Sequence, residues 1–218
     1  MDLTAAAQLP PLLLADGSGP AHWATRVRLA YDGGTLAARF ECVDDEVRAS
    51  LRERDAPLWQ EEVVEIFLAP GSETPTRYFE FEVNPLGALF DARVHNPNSR
   101  RSDMRVDVAW NCSGIRWRAG RLDREGKGGR ESWWAEIEIP LAELVDGPIP
   151  SLWRANVYRV ERPRDAPPEF SCWSPTLTDP ADFHRPERFG VLYLGAGSYR
   201  QLPELDSDLP VLRLPAAP

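Results

Sequence analysis

Short segments in which apolar and polar residues alternate, broken at brief intervals by proline and glycine, constrain this fold most. The segment Tyr78 to Asn84 shows the pattern clearly, because Phe79, Phe81 and Val83 fall on one face of an extended strand and the intervening residues fall on the other. The 218 residues include 21 prolines and 15 glycines, which leave few uninterrupted stretches long enough for an α-helix. The pattern predicts an all-β protein.

The predicted strands are short and closely spaced. Thr25 to Tyr31 and Thr35 to Cys42 flank Asp32-Gly33-Gly34, which predicts a hairpin because both glycines tolerate positive φ. Further strands are predicted at Val63 to Leu68, Tyr78 to Asn84, Arg105 to Asn111, Ile115 to Leu122, Trp133 to Ile139, Trp153 to Glu161 and Val191 to Leu194. Single helical turns are expected at Pro140 to Leu144 and Val47 to Arg54, and Asp123 to Arg130 reads as a mobile hairpin tip. Such a series is typical of an antiparallel β-sandwich with jelly-roll-like connections.

The length suits a single domain. Residues 1–20 form an apolar arm that contains proline, residues 21–195 carry the strand pattern, and residues 196–218 are expected to be an irregular tail with several prolines. We therefore predict one β-sandwich with an extension at each end.

Composition narrows the classes of partner. The 34 acidic and 25 basic side chains give a net charge of −9, which argues against binding to nucleic acid. No apolar run reaches the roughly 20 residues that a membrane-spanning helix needs. The first residues lack the basic region of a secretory signal, and Cys42, Cys112 and Cys172 have no metal-ligand spacing and read as reduced thiols. We therefore expect a cytoplasmic location and no membrane partner.

Catalytic signatures are absent from the sequence. There is no GxSxG nucleophile turn, and the glycines from Gly126 to Gly129 lack the spacing of a phosphate-binding loop. The histidines His22, His95 and His184 are far apart in sequence, and no pair among the many carboxylates stands out as a glycosidase pair. We expect a non-catalytic binding protein.

Tryptophan content carries more information about function. Trp59 lies in the polar stretch Asp55 to Glu62, just before a predicted strand, where an indole is less easily buried than Trp133 or Trp153 within their strands. A rigid aromatic face can cover the C–H face of a sugar, while carboxylates, amides and arginines bind the hydroxyl groups. Core packing remains the alternative role for Trp59.

A series of motifs resembles one known family. In chain order they are Asp44-Asp45, Asp55, Trp59 to Phe67, Phe79 to Gly87, Trp134 to Pro140, Trp153 to Asn156, Trp173-Ser-Pro175 and Phe183 to Gly190. Over residues 25 to 194 the combination is similar to the family 9 carbohydrate-binding modules, within the DOMON-like β-sandwich group. The resemblance implies an antiparallel sandwich that clamps a terminal sugar between two aromatic rings.

The resemblance also implies which residues bind the saccharide. Trp59 matches the first aromatic clamp position, and Phe183 stands where the family has a second tryptophan. Glu65 matches the hydrogen-bonding glutamate, but Glu82 stands in place of a sugar-binding arginine and Tyr158 in place of a glutamine. These departures leave two acceptors, Glu65 and Glu82, where one donor is expected. The remaining candidates are His184, Trp173 and Asn84, the last with a turn-stabilising role as its alternative.

Cofactors enter only through the same resemblance. No cofactor is required, but structural calcium in family members makes Asp44 and Asp45 candidate ligands, with an ordinary acidic loop as the alternative.

Two other functions stay open. Some DOMON-like domains hold haem through Met, His or Lys, for which the candidates are Met1, Met104, His22, His95, His184 and Lys127. The other is a diverged, stand-alone sandwich that binds a protein or another small molecule.

Overall fold

The structure is a computed structural model that describes residues 3, 6–122, 131–195 and 208–216. Two β-sheets face each other. Within the described residues the strands are β1 Ala7–Gln8, β2 Leu13–Leu14, β3 Thr25–Tyr31, β4 Thr35–Val43, β5 Val63–Pro70, β6 Arg77–Val83, β7 Leu89–His95, β8 Arg105–Asp107, β9 Arg116–Leu122, β10 Ser132–Pro140, β11 Leu152–Glu161, β12 Glu169–Cys172, β13 Gly190–Leu194 and β14 Val211–Leu214.

The first sheet has the order β1-β3-β4-β10-β9, and all its neighbours are antiparallel. Its central hairpin joins β3 to β4, with Leu29 opposite Ala38. Gly33 has a φ of 100° in the connecting turn, a conformation that glycine adopts without strain. The predicted hairpin is confirmed.

The second sheet has the order β14-β13-β11-β5-β6-β7-β8, and β12 joins it by pairing with β11 and β2. Its pairs are antiparallel except β13 with β14, which run parallel. The long strand β11 pairs with β5 along one edge, while β13 and β12 share its other edge. This places β5 and β6 in the middle of the sheet.

The main hydrophobic core lies between the two sheets. Alternation sends Val64, Ile66 and Leu68 of β5 into this core, where they meet Ile137 and Trp133 of β10. The intervening residues of β5 point to the opposite face. An all-β sandwich with two packed sheets is therefore confirmed.

The outer face of the second sheet is covered as well. Phe67, Tyr78 and Tyr158 belong to a second apolar cluster on this face, together with Leu58 and Phe183 from the loops above it. Because both faces of β5 are covered, seven of its eight residues are buried. Polar side chains on this face are therefore removed from water.

Some sequence predictions differ from the structure. Residues 47–54 form no helical turn, whereas the turn at Leu141–Leu144 is present as a 3-10 helix. The tail predicted as irregular contains β14, and β7 and β12 were not predicted. The predicted hairpin tip Asp123 to Arg130 lies outside the described residues.

No helix in the described part of the chain is long and apolar enough to cross a membrane.

Candidate functional site

A row of four side chains crosses the middle of the second sheet on its outer face. Tyr158 of β11 is paired with Glu65 of β5, Glu65 with Glu82 of β6, and Glu82 with Phe90 of β7. Neighbouring strands are about 4.8 Å apart, so the Cα atoms of Tyr158 and Phe90 are separated by about 14 Å. Two carboxylates therefore lie between two aromatic side chains.

Trp59 stands at the Phe90 end of this row. The 3-10 turn Leu58–Gln60 presents it, and its ring meets Phe90 edge-on at a centroid distance of 5.3 Å. Arg162 Nη2 donates to the Trp59 carbonyl oxygen at 3.0 Å, which fixes the backbone of the turn. Trp59 is 45% exposed, so its indole is available to a ligand.

Phe183 stands at the Tyr158 end. Its ring stacks on Tyr158 at a centroid distance of 4.2 Å, and the Tyr158 hydroxyl donates to the Phe183 carbonyl oxygen at 2.9 Å. Phe170 packs against the edge of the Phe183 ring. Only 7% of Phe183 is exposed, so this end of the row offers much less aromatic surface than Trp59 does.

The floor between the two ends is acidic. Glu80 lies two residues before Glu82 in β6 and therefore on the same face of the sheet. One carboxylate oxygen from each of Glu65, Glu80 and Glu82 lies within 4.8 Å of the other two. All three side chains are buried, and no hydrogen bond of good geometry reaches either oxygen of Glu82. We call these three residues the glutamate trio.

The surroundings of the glutamate trio favour protonation of its carboxylates. Burial raises the pKa of Glu80 to about 7. Burial and the charge of Glu80 raise the pKa of Glu65 well above its usual value, and burial with the charges of Glu65 and Glu80 does the same for the pKa of Glu82. The three buried carboxyl groups are therefore harder to ionise together than exposed ones.

His184 and Arg101 border the trio. His184 Nδ1 is 2.8 Å from the Tyr78 hydroxyl, and its Nε2 is 3.9 Å from Glu80 Oε1. Burial, helped by the positive charge of Arg101, lowers the pKa of His184 to about 4, so the imidazole is neutral at pH 7. Arg101 donates from Nε to Asp182 Oδ1 at 2.8 Å. The positive charge nearest the trio is thus already paired.

Comparison with known proteins identifies the family. The model of carbohydrate-binding family 9 matches residues 19–194. The chain belongs to carbohydrate-binding family 9. A fungal relative from Arthroderma benhamiae, described as an extracellular protein, is 32% identical over 169 residues, which cover 73% of this chain and 73% of the relative.

Solved structures share the family 9 fold. A putative carbohydrate-binding protein from Bacteroides uniformis superposes with a TM-score of 0.69 at 22% identity, covering 86% of each chain. A family 9 module from Caldicellulosiruptor kristjanssonii in complex with glucose has a TM-score of 0.59 at 14% identity, over 93% of this chain and 92% of the other. Its complex with cellotriose has a TM-score of 0.58 at 13% identity, over 94% and 90%. At these low sequence identities, the similarity to the three structures shows only that the fold is shared.

Two residues that the resemblance assigned to the saccharide site, Trp173 and Asn84, lie away from the row. Trp173 follows Cys172, whose side chain faces the outer cluster, so alternation turns Trp173 into the core between the sheets. It does not border the row. Asn84 is buried, and its side chain donates to Leu51 O and accepts from the amides of Leu86 and Ala88. Asn84 therefore holds the turn after β6.

The predicted calcium ligands are separated. Asp45 is exposed, whereas Asp44 is buried beside Glu62 and Glu161. Arg159 reaches into this second group, in contact with Glu161 and 3.8 Å from Asp44 Oδ2. Burial raises the pKa of Glu62 to about 10 and that of Glu161 to about 7.

Several acceptor oxygens of this second group have no hydrogen bond of good geometry to a described residue. They are Asp44 Oδ2, both carboxylate oxygens of Glu62 and Glu161 Oε1. The donor set suits a hard cation around Asp44, but with Glu62 and Glu161 in place of Asp45. Arg159 already supplies one positive charge to the same group.

Among the candidates for haem that the structure describes, no two are arranged as a pair of axial ligands. Met104 Sδ and His184 Nδ1 both contact the Tyr78 hydroxyl, at 3.9 and 2.8 Å, so a tyrosine hydroxyl lies between them. His22 is held by Glu169 at 2.6 Å, and His95 is exposed at the end of β7. Met1 and Lys127 lie outside the described residues.

Sequence reasoning missed two contributors to the site. The alternation from Tyr78 to Asn84 already places Glu80 on the face of Glu82, so a signal for Glu80 existed. Nothing in the local sequence pointed to Arg101. It approaches the site because the segment from Asn96 to Met104 packs beside His184, to whose carbonyl oxygen Asn96 donates at 3.2 Å.

Proposed function

We propose that the outer face of the second sheet binds a saccharide without catalysing its cleavage. The observation that carries the proposal is the exposure of Trp59, 45% of the residue, at one end of a row that contains Glu65 and Glu82. An exposed indole covers the C–H face of a pyranose, and buried carboxylates accept hydrogen bonds from its hydroxyl groups. Glucose and cellotriose bound to a module of the same family support this class of ligand.

The two ends of the proposed groove contribute unequally. Trp59 provides the main stacking surface, and Phe183 contributes an edge because Tyr158 and Phe170 cover most of its ring. A ligand held mainly from one side is expected to be a sugar at the end of a chain or a single sugar. Carboxylate acceptors favour ligands rich in hydroxyl donors.

Titration of the purified protein with glucose, cellobiose and xylo-oligosaccharides tests the proposal. We expect tryptophan fluorescence to shift with at least one of them. Trp59→Ala should weaken its binding by about 30-fold, since the lost apolar contact is worth about 2 kcal/mol. Calorimetry measures the affinity, and assays of the same sugars should detect no hydrolysis.

Trp110→Ala is the matched control. Trp110 lies in a different cavity of about 790 Å³, together with Phe79, Arg93 and His95, and its ring contacts Phe79 at 5.0 Å. This variant should bind the sugar like the wild type. Loss of binding in Trp110→Ala with retention in Trp59→Ala would move the site to that cavity. A flat response to a broad glycan panel would favour another ligand, such as a protein or a different small molecule.

The structural calcium expected near Asp44 and the cytoplasmic location stay predictions. The orphaned oxygens of Asp44, Glu62 and Glu161 support a cation there. The fungal relative is described as extracellular, which concerns that protein alone.

A further inference from the structure

The glutamate trio places three acidic side chains together on a covered face of a β-sheet, where apolar side chains are usual. Glu65 and Glu82 are paired across β5 and β6, and Glu80 follows on the same face, so the backbone register brings the three carboxylates together. Glu65 is 2% exposed, Glu80 5% and Glu82 0%. One oxygen from each lies within 4.8 Å of the other two.

The carboxylate of Glu82 gives an independent sign of a missing ligand. It is fully buried and points into the trio, and although the Glu80 side chain and the Trp59 amide approach it, neither of its oxygens has a hydrogen bond of good geometry to a described group. A buried carboxylate without a partner costs several kcal/mol relative to water. Native proteins retain such a group where something else satisfies it.

Neighbouring side chains do not supply enough positive charge. Arg101 is 58% exposed at its side chain and donates to Asp182. His184 is buried beside Tyr78, and its closest approach to the trio is 3.9 Å, to Glu80. The second acidic group differs in this respect, because Arg159 lies inside it.

The spacing of the trio suits one hard cation. Calcium binds carboxylate oxygens at about 2.3–2.6 Å, so three oxygens around it lie about 4 Å apart. The three oxygens already lie within 4.8 Å of one another, which is compatible with that distance. The donors are all carboxylate oxygens, which favours calcium over metals that prefer nitrogen or sulfur. We propose that Glu65, Glu80 and Glu82 bind one calcium ion on the floor of the outer-face row.

This site goes beyond the proposed saccharide binding and does not depend on it. The three ligands come from the sheet itself, and the backbone register, rather than a sugar, brings them together. It is also separate from the calcium expected near Asp44, which would use Asp44, Glu62 and Glu161 around Arg159.

Calorimetric titration of the full chain with calcium chloride alone, after dialysis against a chelator, tests the proposal. We expect the wild type to bind calcium and its thermal unfolding temperature to rise when calcium is present. Glu82→Gln conserves the volume of the side chain and removes one charge, so it should bind at this site at least tenfold more weakly. It should also lose most of the calcium-dependent rise in unfolding temperature.

Glu62→Gln is the matched control, because it makes the same change in the second acidic group. This variant should keep the calcium binding that Glu82→Gln loses. Near-ultraviolet circular dichroism in chelator verifies that each variant is folded, and Glu80→Gln repeats the test should Glu82→Gln fail to fold. Wild-type calcium binding in Glu82→Gln, or no calcium binding by the wild type at millimolar concentration, would overturn the proposal. Because calcium is the only ligand added, neither result depends on saccharide binding.

Discussion

Glu65 and Glu82 face each other directly across β5 and β6, with no basic side chain between them. Opposite charges usually occupy such cross-strand positions, since like charges destabilise the pair. Here the register is set by the apolar residues on the other face, where Val64, Ile66 and Phe81 pack between the sheets. The acidic pair is therefore held in place by the core behind it.

The first prediction concerns the pH dependence of stability. Burial raises the pKa of Glu80 to about 7 from its usual value of 4.5, so between these pH values the folded state keeps a proton that the unfolded state has already released. Stability is therefore lost as pH rises through this window. In chelator, Glu80→Gln removes that loss and should be more stable than the wild type at pH 8 by roughly 3 kcal/mol.

Urea unfolding at pH 4.5 and at pH 8 measures this difference. The two proteins should differ little at the lower pH, where Glu80 is protonated in the folded state and about half protonated in the unfolded state. A constant difference between variant and wild type at both pH values would contradict the assignment. Comparison within one pair of proteins cancels the titration of acids remote from Glu80, whereas the change at Glu65 and Glu82, which feel the charge of Glu80, is part of the measured effect.

The second prediction concerns Arg159. Its side chain is fully buried, contacts Glu161, and donates to the Thr25 hydroxyl at 3.2 Å. Arg159→Ala leaves Asp44, Glu62 and Glu161 without their guanidinium, and removal of one partner of a buried ion pair costs about 3–5 kcal/mol. Denaturant unfolding at pH 7 measures the loss.

Arg116→Ala provides the comparison for Arg159→Ala. Arg116 pairs with Glu138 at 2.6 Å, but 75% of its side chain is exposed. Exposed pairs contribute little, so this variant should unfold almost like the wild type. Equal effects of the two substitutions would show that burial does not decide the strength of the Arg159 contacts.

The third prediction concerns the thiols. Cys42, Cys112 and Cys172 are buried and not paired in disulfides, and burial raises the pKa of each to about 12. The reactive thiolate is therefore scarce at pH 8. A thiol reagent such as DTNB should react with none of them in the native protein and with three in denaturant. Rapid reaction of one thiol without denaturant would refute this.

Many strands of the sandwich can be predicted from the sequence, because strands with one face toward the core show alternating apolar and polar residues. The alternation from Tyr78 to Asn84 sent Phe81 and Val83 to the core and the glutamates to the other face, as the structure has them. The same rule separated Arg159 from Tyr158. Strands β7 and β12 were not predicted. No polar segment separates β7 from the turn before it, and β12 has only four residues.

The candidate site was only partly predictable. Trp59 was predicted to be accessible because its sequence surroundings are polar, and the residue is 45% exposed. Phe183 was expected to match it as a second clamp, yet its ring is mostly covered by Tyr158 and Phe170. Local sequence does not reveal such coverage, because Phe170 belongs to β12 and reaches the ring only through the pairing of β12 with β11.

By itself, the sequence determined the period of two, the turn positions and therefore which face of each strand a residue takes. Only the tertiary structure decided that the face carrying Glu65, Glu80 and Glu82 would be covered, and which side chains from distant loops would approach them. The physical reason is that alternation depends on the geometry of one strand. Burial and charge depend on the loops that pack over it, and their contacts join distant parts of the chain, as between Tyr78 and His184, which are 106 residues apart.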